Sequence, residues 1–340
     1  MKNTWKMVVL SFFLPTALLA QAPYLIKKWD ASVGDKLEVM TSGGKIEVVG
    51  GSKDEFVVEV HVKGNAVKSS LSEEDIQERL DNYEIKVEKV NGTVYCSAKS
   101  KVSTLNWQKT LSIGFVVKTP ENVDVQLKTS GGHIHLKNLT GNLQFSTSGG
   151  ALELEKLGGF VKGSTSGGSI SLIGGSKTID LKTSGGSIEV LNTEGDINLA
   201  TSGGSINLKN IKGTANVKTS GGAIRVAQLT GELSAVTSAG GIHLDEVSGN
   251  VKARTSAGGI HAKMNELGDS LDLVTSAGSI DISIPSLENL DLELSGQNVK
   301  IPTLTGFTGE IKKGDVSGKT GAATKRITAK TTVGTVRLAN

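Results

Sequence analysis

The tetrapeptide Thr-Ser-Gly-Gly recurs at Thr129, Thr147, Thr165, Thr183, Thr201 and Thr219, each 18 residues after the last. A Thr-Ser-Ala-Gly-Gly variant keeps the same step at Thr237 and Thr255, and a further copy follows a two-residue insertion at Thr275. A lone early copy begins at Thr41. A repeat of this length is one supersecondary unit that cannot bury its own apolar face, so like units must stack.

The apolar residues keep the register. Five residues after the threonines stand Ile134, Leu152, Ile170, Ile188, Ile206, Ile224, Ile242, Ile260 and Ile280. Seven after stand Leu136, Leu154, Leu172, Val190, Leu208, Val226, Leu244, Ala262 and Ile282. Polar residues lie between them, which is the period-2 alternation of a strand with one buried face. A second alternating stretch recurs as Leu143-x-Phe145, Ile179-x-Leu181, Ile197-x-Leu199 and Ala215-x-Val217, and a glycine separates the two stretches at Gly141, Gly159, Gly195, Gly213, Gly231 and Gly249.

The spacing therefore predicts an all-β chain. It is a right-handed parallel β-helix, or β-solenoid, with 18-residue coils and two short strands per coil, the right hand following from the preference of parallel crossovers. The left-handed hexapeptide helix needs an apolar residue every six positions and does not fit. Coils in register rise by about 4.8 Å. The 43 glycines in 340 residues are explained by turns that must reverse the chain within three or four residues, with some positions at φ > 0. Alternation points each threonine inward at a corner. There its hydroxyl either bonds neighbouring backbone or is incidental to β-propensity beside a turn-friendly Ser-Gly.

The flanks break the rhythm. Residues 1–20 read as a secretory signal, with Lys2 and Lys6 before an apolar run from Met7 to Ala20 that is short for a membrane helix. Cleavage fits after Ala20, with Leu18 at −3; cleavage after Ala22 fits A-x-A but leaves Pro23 at the start, which is unfavourable, and an uncleaved anchor is the alternative. Residues 21–128 read as an N-terminal β-rich cap with a first coil at Lys36–Val48 and a short helix opened by Ser72 and Asp75 in a near capping box. Residues 129–282 form the regular solenoid. Residues 283–340 form irregular coils and a cap, where Thr331 to Leu338 repeats the threonine–glycine–alternation pattern.

Composition excludes several classes. One cysteine rules out an intrachain disulfide framework, and Cys96 reads as a buried thiol. Loss of Lys2 and Lys6 lowers the formal charge from +3 to +1, which predicts no nucleic-acid partner and no anionic-lipid surface. No integral membrane segment is expected after signal cleavage. The outward column six after each threonine runs His135, Glu153, Ser171, Glu189, Asn207, Arg225, His243, His261 and Asp281. No two carboxylates adjoin in it, which argues against a polysaccharide lyase or hydrolase, the enzymatic alternative for an extracellular β-helix. His243 and His261 are neighbours and form a weak surface metal candidate, with no carboxylate or cysteine to complete the ligand set. No catalytic residue and no cofactor is assigned. Trp29 and Trp107 read as cap packing.

The units Thr183–Val190 and Gly195–Gly204, the early coil at Leu37–Val48, the Gly114–Pro120 segment leading into the repeats and the terminal Thr-Val-Gly-Thr-Val resemble the bacterial "putative adhesin" family of β-strand-repeat proteins, a domain of unknown function. The resemblance covers most of the mature chain. It implies an exported, non-enzymatic scaffold at the periplasm or cell surface, with an envelope protein or glycan as partner, and carries no site residues. An envelope-stress or assembly component is a further reading.

Overall fold

The structure is a computed structural model that describes residues 22–64, 72–102 and 110–340. Residues 1–20, which the sequence reads as a signal, and Trp107 lie outside the described residues. Among the described residues no helix is long and apolar enough to cross a membrane.

Before the repeats come β1 (Leu25–Asp30), β2 (Lys36–Thr41), β3 (Ile46–Gly50), β4 (Glu55–Gly64), α1 (Glu73–Leu80), β5 (Tyr83–Val90), β6 (Thr93–Ser100), β7 (Leu111–Thr119) and β8 (Asp124–Lys128). The helix starts at a full capping box: the Asp75 N–H donates to Ser72 Oγ at 3.1 Å and the Ser72 N–H donates back to the Asp75 carboxylate. The repeats supply β9 (Ile134–Ser146), β10 (Leu152–Ser164), β11 (Ile170–Lys182), β12 (Ile188–Ala200), β13 (Ile206–Lys218), β14 (Ile224–Val236), β15 (Ile242–Ala257) and β16 (Ile260–Ala277). Each pairs in parallel with the next. The isoleucines of the sequence pattern stack on one another: Ile188 pairs with Ile206, Ile206 with Ile224 and Ile224 with Ile242, all fully buried. Each such burial contributes roughly 1.5–3 kcal/mol.

The two strand stretches of a coil run as one 13-residue element, because pairing to the coil below continues through the bend between them. Only one residue per coil leaves the ladder: Glu155 pairs with Ile173 and Leu157 with Gly175, so Lys156 and Gly174 are skipped. That position is left-handed in coil after coil, at Asn138 (φ 54°), Lys156 (φ 51°), Asn192 (φ 53°) and Asn210 (φ 55°). Asparagine tolerates this region better than most L-residues. Three residues on, the mid-coil glycine is left-handed as well, as at Gly195 (φ 114°). Between the two bends an additional inward column appears: Leu139, Leu157, Gly175, Thr193, Ile211, Leu229 and Val247. Thr193 is buried there with its hydroxyl satisfied, donating to the Leu191 carbonyl at 3.0 Å and accepting from the Gly175 N–H at 3.2 Å.

The Thr-Ser-Gly-Gly corner needs its second glycine for a different reason. A Cβ at Gly186 would stand 2.0 Å from the Gly168 carbonyl oxygen of the coil below, whereas one at Gly185 would meet nothing closer than 3.6 Å. The sequence obeys this difference: the first glycine is replaced by Ala239, Ala257 and Ala277, while Gly240, Gly258 and Gly278 keep the second place. Coil stacking, rather than positive φ, fixes that position.

The two-residue insertion before Thr275 is absorbed in β16, where the register against β15 shifts between Leu244 and Val251. Beyond it lie β17 (Ile280–Ser283), β18 (Leu290–Ser295), β19 (Asn298–Lys300), β20 (Phe307–Ile311), β21 (Asp315–Thr320), β22 (Lys325–Val333) and β23 (Thr335–Ala339).

Chain order and stacking order differ at both ends. The early coil β2–β3 lies between β6 and β7 on one side and β8 and β9 on the other. The final coil β22–β23 lies between β16 and β17 on one side and β18 and β19 on the other. Antiparallel strands cover the outer coils: β1, β4 and β7 in succession and the β5–β6 hairpin at one end, β18, β21 and β20 at the other. Strand β1 carries Lys27 and Lys28, charges that discourage edge-to-edge pairing.

Candidate ligand-binding face

Every buried column fixes an outward column beside it, so the 18-residue register also determines the surface. Within β9–β15 the first strand stretch of each coil presents His135 to His243 and Lys137 to Asp245 outward. The second stretch presents Gln144, Lys162, Asp180, Asn198, Asn216, Ser234 and Lys252 in one column, and Ser146, Ser164, Lys182, Ala200, Lys218, Val236 and Arg254 in the next.

Three open depressions follow one another along this second side. The first, about 220 Å³, is lined by Gln126, Lys128, Gln144, Lys162 and Lys182. The second, about 450 Å³, includes Asn198, Asn216 and Lys218, and the third, about 390 Å³, includes Ser234, Asn250 and Lys252. At the first, Gly163 occupies an inward position, and the Phe145 ring takes the space a side chain would use, 2.2 Å from where its Cβ would be. The lining mixes apolar side chains such as Phe145, Leu199 and Val236 with amides and hydroxyls, and the amides hydrogen-bond in both directions.

The residues singled out by sequence fall in distinct places. Thr129, Thr147, Thr165, Thr183, Thr201, Thr219, Thr237 and Thr255 are buried at the corner. Each donates its hydroxyl proton to a glycine carbonyl of the coil below, at 2.8 to 2.9 Å from Thr147 onward and 3.3 Å from Thr129 to Gly44. In most coils it also accepts from the second glycine N–H of its own turn, as Gly186 to Thr183 at 3.3 Å. Ile134, Ile170, Ile188, Ile206, Ile224, Ile242 and Ile260 are core.

His243 and His261 are exposed neighbours in register. Partial desolvation, with the Arg225 guanidinium and the His261 ring nearby, pushes the His243 imidazole below its ordinary range. His135 lies 3.9 Å from Glu47 and 3.7 Å from Glu155, and the Lys137 ammonium 2.7 Å from Glu155 holds that carboxyl below the usual range. Among the described residues no group of three or more His, Cys, Asp or Glu is placed to hold a metal ion. The Cys96 thiol is buried and pushed up to about 12 by desolvation.

The profile of the Toastrack DUF4097 family matches residues 34–339, nearly the whole described chain. The chain belongs to that family. No curated protein matches the sequence of this Toastrack chain. Among solved structures it is similar to a "putative cell adhesion protein" of Clostridium sporogenes at 11% identity, over 93% of this chain and 97% of that one, with a TM-score of 0.18. It is similar to a "putative adhesin" of Bacteroides fragilis at 12% identity, over 93% and 97%, with a TM-score of 0.20. A "putative lipid binding protein" of Parabacteroides distasonis matches at 14% identity, over 76% and 96%, with a TM-score of 0.30.

The second-stretch face as a continuous groove is absent from the sequence reading, which followed the first outward column. The signal was present in the residue inside each apolar-x-apolar pair and in the residue just after it, such as Asp180 and Lys182 around Leu181.

Proposed function

We propose that this Toastrack chain is an exported, non-enzymatic scaffold that binds an envelope or cell-surface component through its outward columns, in the manner of an adhesin. One observation carries the reading. The same threonine-to-glycine hydrogen bond locks successive coils, so the outward side chains are held on one repeated lattice along the stack. A rigid, repetitive surface spreads binding over many weak contacts, and its depressions are shallow and wide rather than enclosed.

The test is capture from the cell's own envelope fraction by the purified protein. Retention of a defined envelope protein or glycan, with less than threefold loss for single outward substitutions, is the expected result. Absence of any retained component, or turnover of a polysaccharide abolished by Glu189→Gln, overturns the reading.

A further inference from the structure

The two outward sides of the same seven coils, β9–β15, carry different charge. On the first side Lys137, Lys209 and Arg225 face Glu153, Glu155, Glu189 and Asp245, close to balance. On the second side Lys162, Lys182, Lys218, Lys252 and Arg254 outnumber Asp180 and Glu232, and Asp272 of the next coil joins Glu232 in the third depression. Lys128 on β8 extends the cationic side by one more coil. The small formal net charge of the whole chain conceals this sorting.

Position sharpens the contrast. Lys128, Lys162, Lys218 and Lys252 line the row of depressions, and among the described residues none of the four makes an ion pair. Lys182 and Arg254 do have acidic neighbours, Asp180 at 3.1 Å and Asp272 at 2.9 Å. In one column cations alternate with small or apolar residues: Lys182, Ala200, Lys218, Val236, Arg254. The charges therefore recur every second coil, about 9.6 Å apart. From β8 to β15 the row extends about 34 Å along the stack. Glu232 and Asp272 line the third depression, and Asp196 stands beside the glycine bend.

We infer that this groove binds a linear acidic polysaccharide, laid along the stack axis across the strands. The inference rests on the scaffold reading above and names its ligand class. The unpaired lysines match carboxylate or sulfate groups, while Gln144, Asn198, Asn216 and Ser234 offer donors and acceptors to ring hydroxyls. A pyranose residue is about as long as one coil rise, so acidic groups two or three sugar residues apart keep step with Lys128, Lys162, Lys218 and Lys252, which stand on β8, β10, β13 and β15. Nucleic acid fits less well, because β9–β15 present one aromatic ring on this side, Phe160, and a single-stranded chain is held by successive stacking rings. An anionic membrane fits less well, because the outward apolar residues on this side, Phe160 and Val236, are isolated and do not gather into an insertion face.

The experiment measures binding of the purified protein to polygalacturonate and dextran sulfate against plain dextran, a single-stranded oligonucleotide and phosphatidylglycerol vesicles. Two triple variants are compared. Lys162→Glu/Lys218→Glu/Lys252→Glu reverses the groove, and Lys209→Glu/Lys212→Glu/Arg225→Glu makes the same charge change elsewhere. All six residues are exposed and free of ion pairs among the described residues, and circular dichroism checks the fold of each variant. Expected are binding to both acidic polymers but not to dextran, at least tenfold weakening by the groove variant and less than twofold by the other. Equal weakening by both variants, no binding to either acidic polymer, or tighter binding of oligonucleotide or vesicles overturns the inference. Envelope capture separates the two readings. Capture retained in full by the groove variant overturns the polysaccharide groove and leaves the scaffold standing; no capture by the wild-type protein removes the scaffold.

Discussion

Thr183 Oγ1 donates to the carbonyl oxygen of Gly168, one coil earlier, across 2.8 Å, and the same oxygen accepts from Gly186 of its own turn. One side chain thereby satisfies two corner backbone groups that neither strand ladder reaches. Thr183→Val keeps the shape and removes both bonds. A loss of about 1–3 kcal/mol is expected in urea denaturation, the cost of leaving buried backbone groups unpaired. Thr183→Ser, which retains the hydroxyl, should lose much less. Equal losses for the two variants would show that the hydroxyl does not matter.

The adjacent glycines of one turn should respond in opposite ways. Gly186→Ala drives a methyl into the Gly168 carbonyl and should cost about 3 kcal/mol, at the upper end of core overpacking. Gly185→Ala has room and should stay within about 0.5 kcal/mol of wild type, as expected of an uncrowded surface site. Calorimetric melting temperatures decide between them.

At the left-handed bend, Asn210 stacks on Asn192, its side-chain amide donating across 2.8 Å. Asn210→Val places a β-branched residue at φ 55° and should destabilise by about 1–2 kcal/mol. Asn210→Gly should stay close to wild type, because glycine enters this region without a Cβ penalty. A valine variant as stable as the glycine variant would refute backbone strain as the reason for asparagine.

Acid should loosen the N-terminal cap. Burial opposes ionisation of Asp35, but the Lys89 ammonium at 2.6 Å and the Ser32 N–H at 2.8 Å outweigh it and hold the carboxyl below its usual range. A carboxylate depressed in the folded state adds stability that is complete above its unfolded value, near 3.9, and disappears as pH falls through the folded value. Urea midpoints measured from pH 7 down to pH 2 should therefore fall more steeply for wild type than for Asp35→Asn. Parallel curves would exclude this contribution.

The 18-residue period made the stack and its isoleucine column readable, because buried strands impose strict alternation and the alternation was intact. The column between the two bends was not readable. It follows a step of three residues rather than two, and Gly175 and Thr193 interrupt it with residues that do not look like core. The charged groove was concealed differently. Its lysines lie 20 to 36 residues apart along the chain, so total charge averages them against the acids of the other side. Only the register, fixed by coil pairing, brings Lys182, Lys218 and Arg254 into one column. The stacking order at the ends was also out of reach. The copy at Thr41 announces a coil, but nothing in the sequence says that Ile46 will pair with Ile134 across the intervening cap.

That interleaving has a mechanical consequence. A rod built by simple succession ends in a coil with one neighbour, and tension on its terminus peels that coil away one hydrogen bond at a time. Here the coils nearest both chain ends are clasped from two sides. Tension on the C-terminus must slide β23 between β17 and β19, breaking both ladders together, whereas at the N-terminus β1 leaves its single partner β4 before the clasped β2 is loaded. Such an arrangement unravels far more reluctantly, and the last residues of the chain act as a rivet in place of a loose thread.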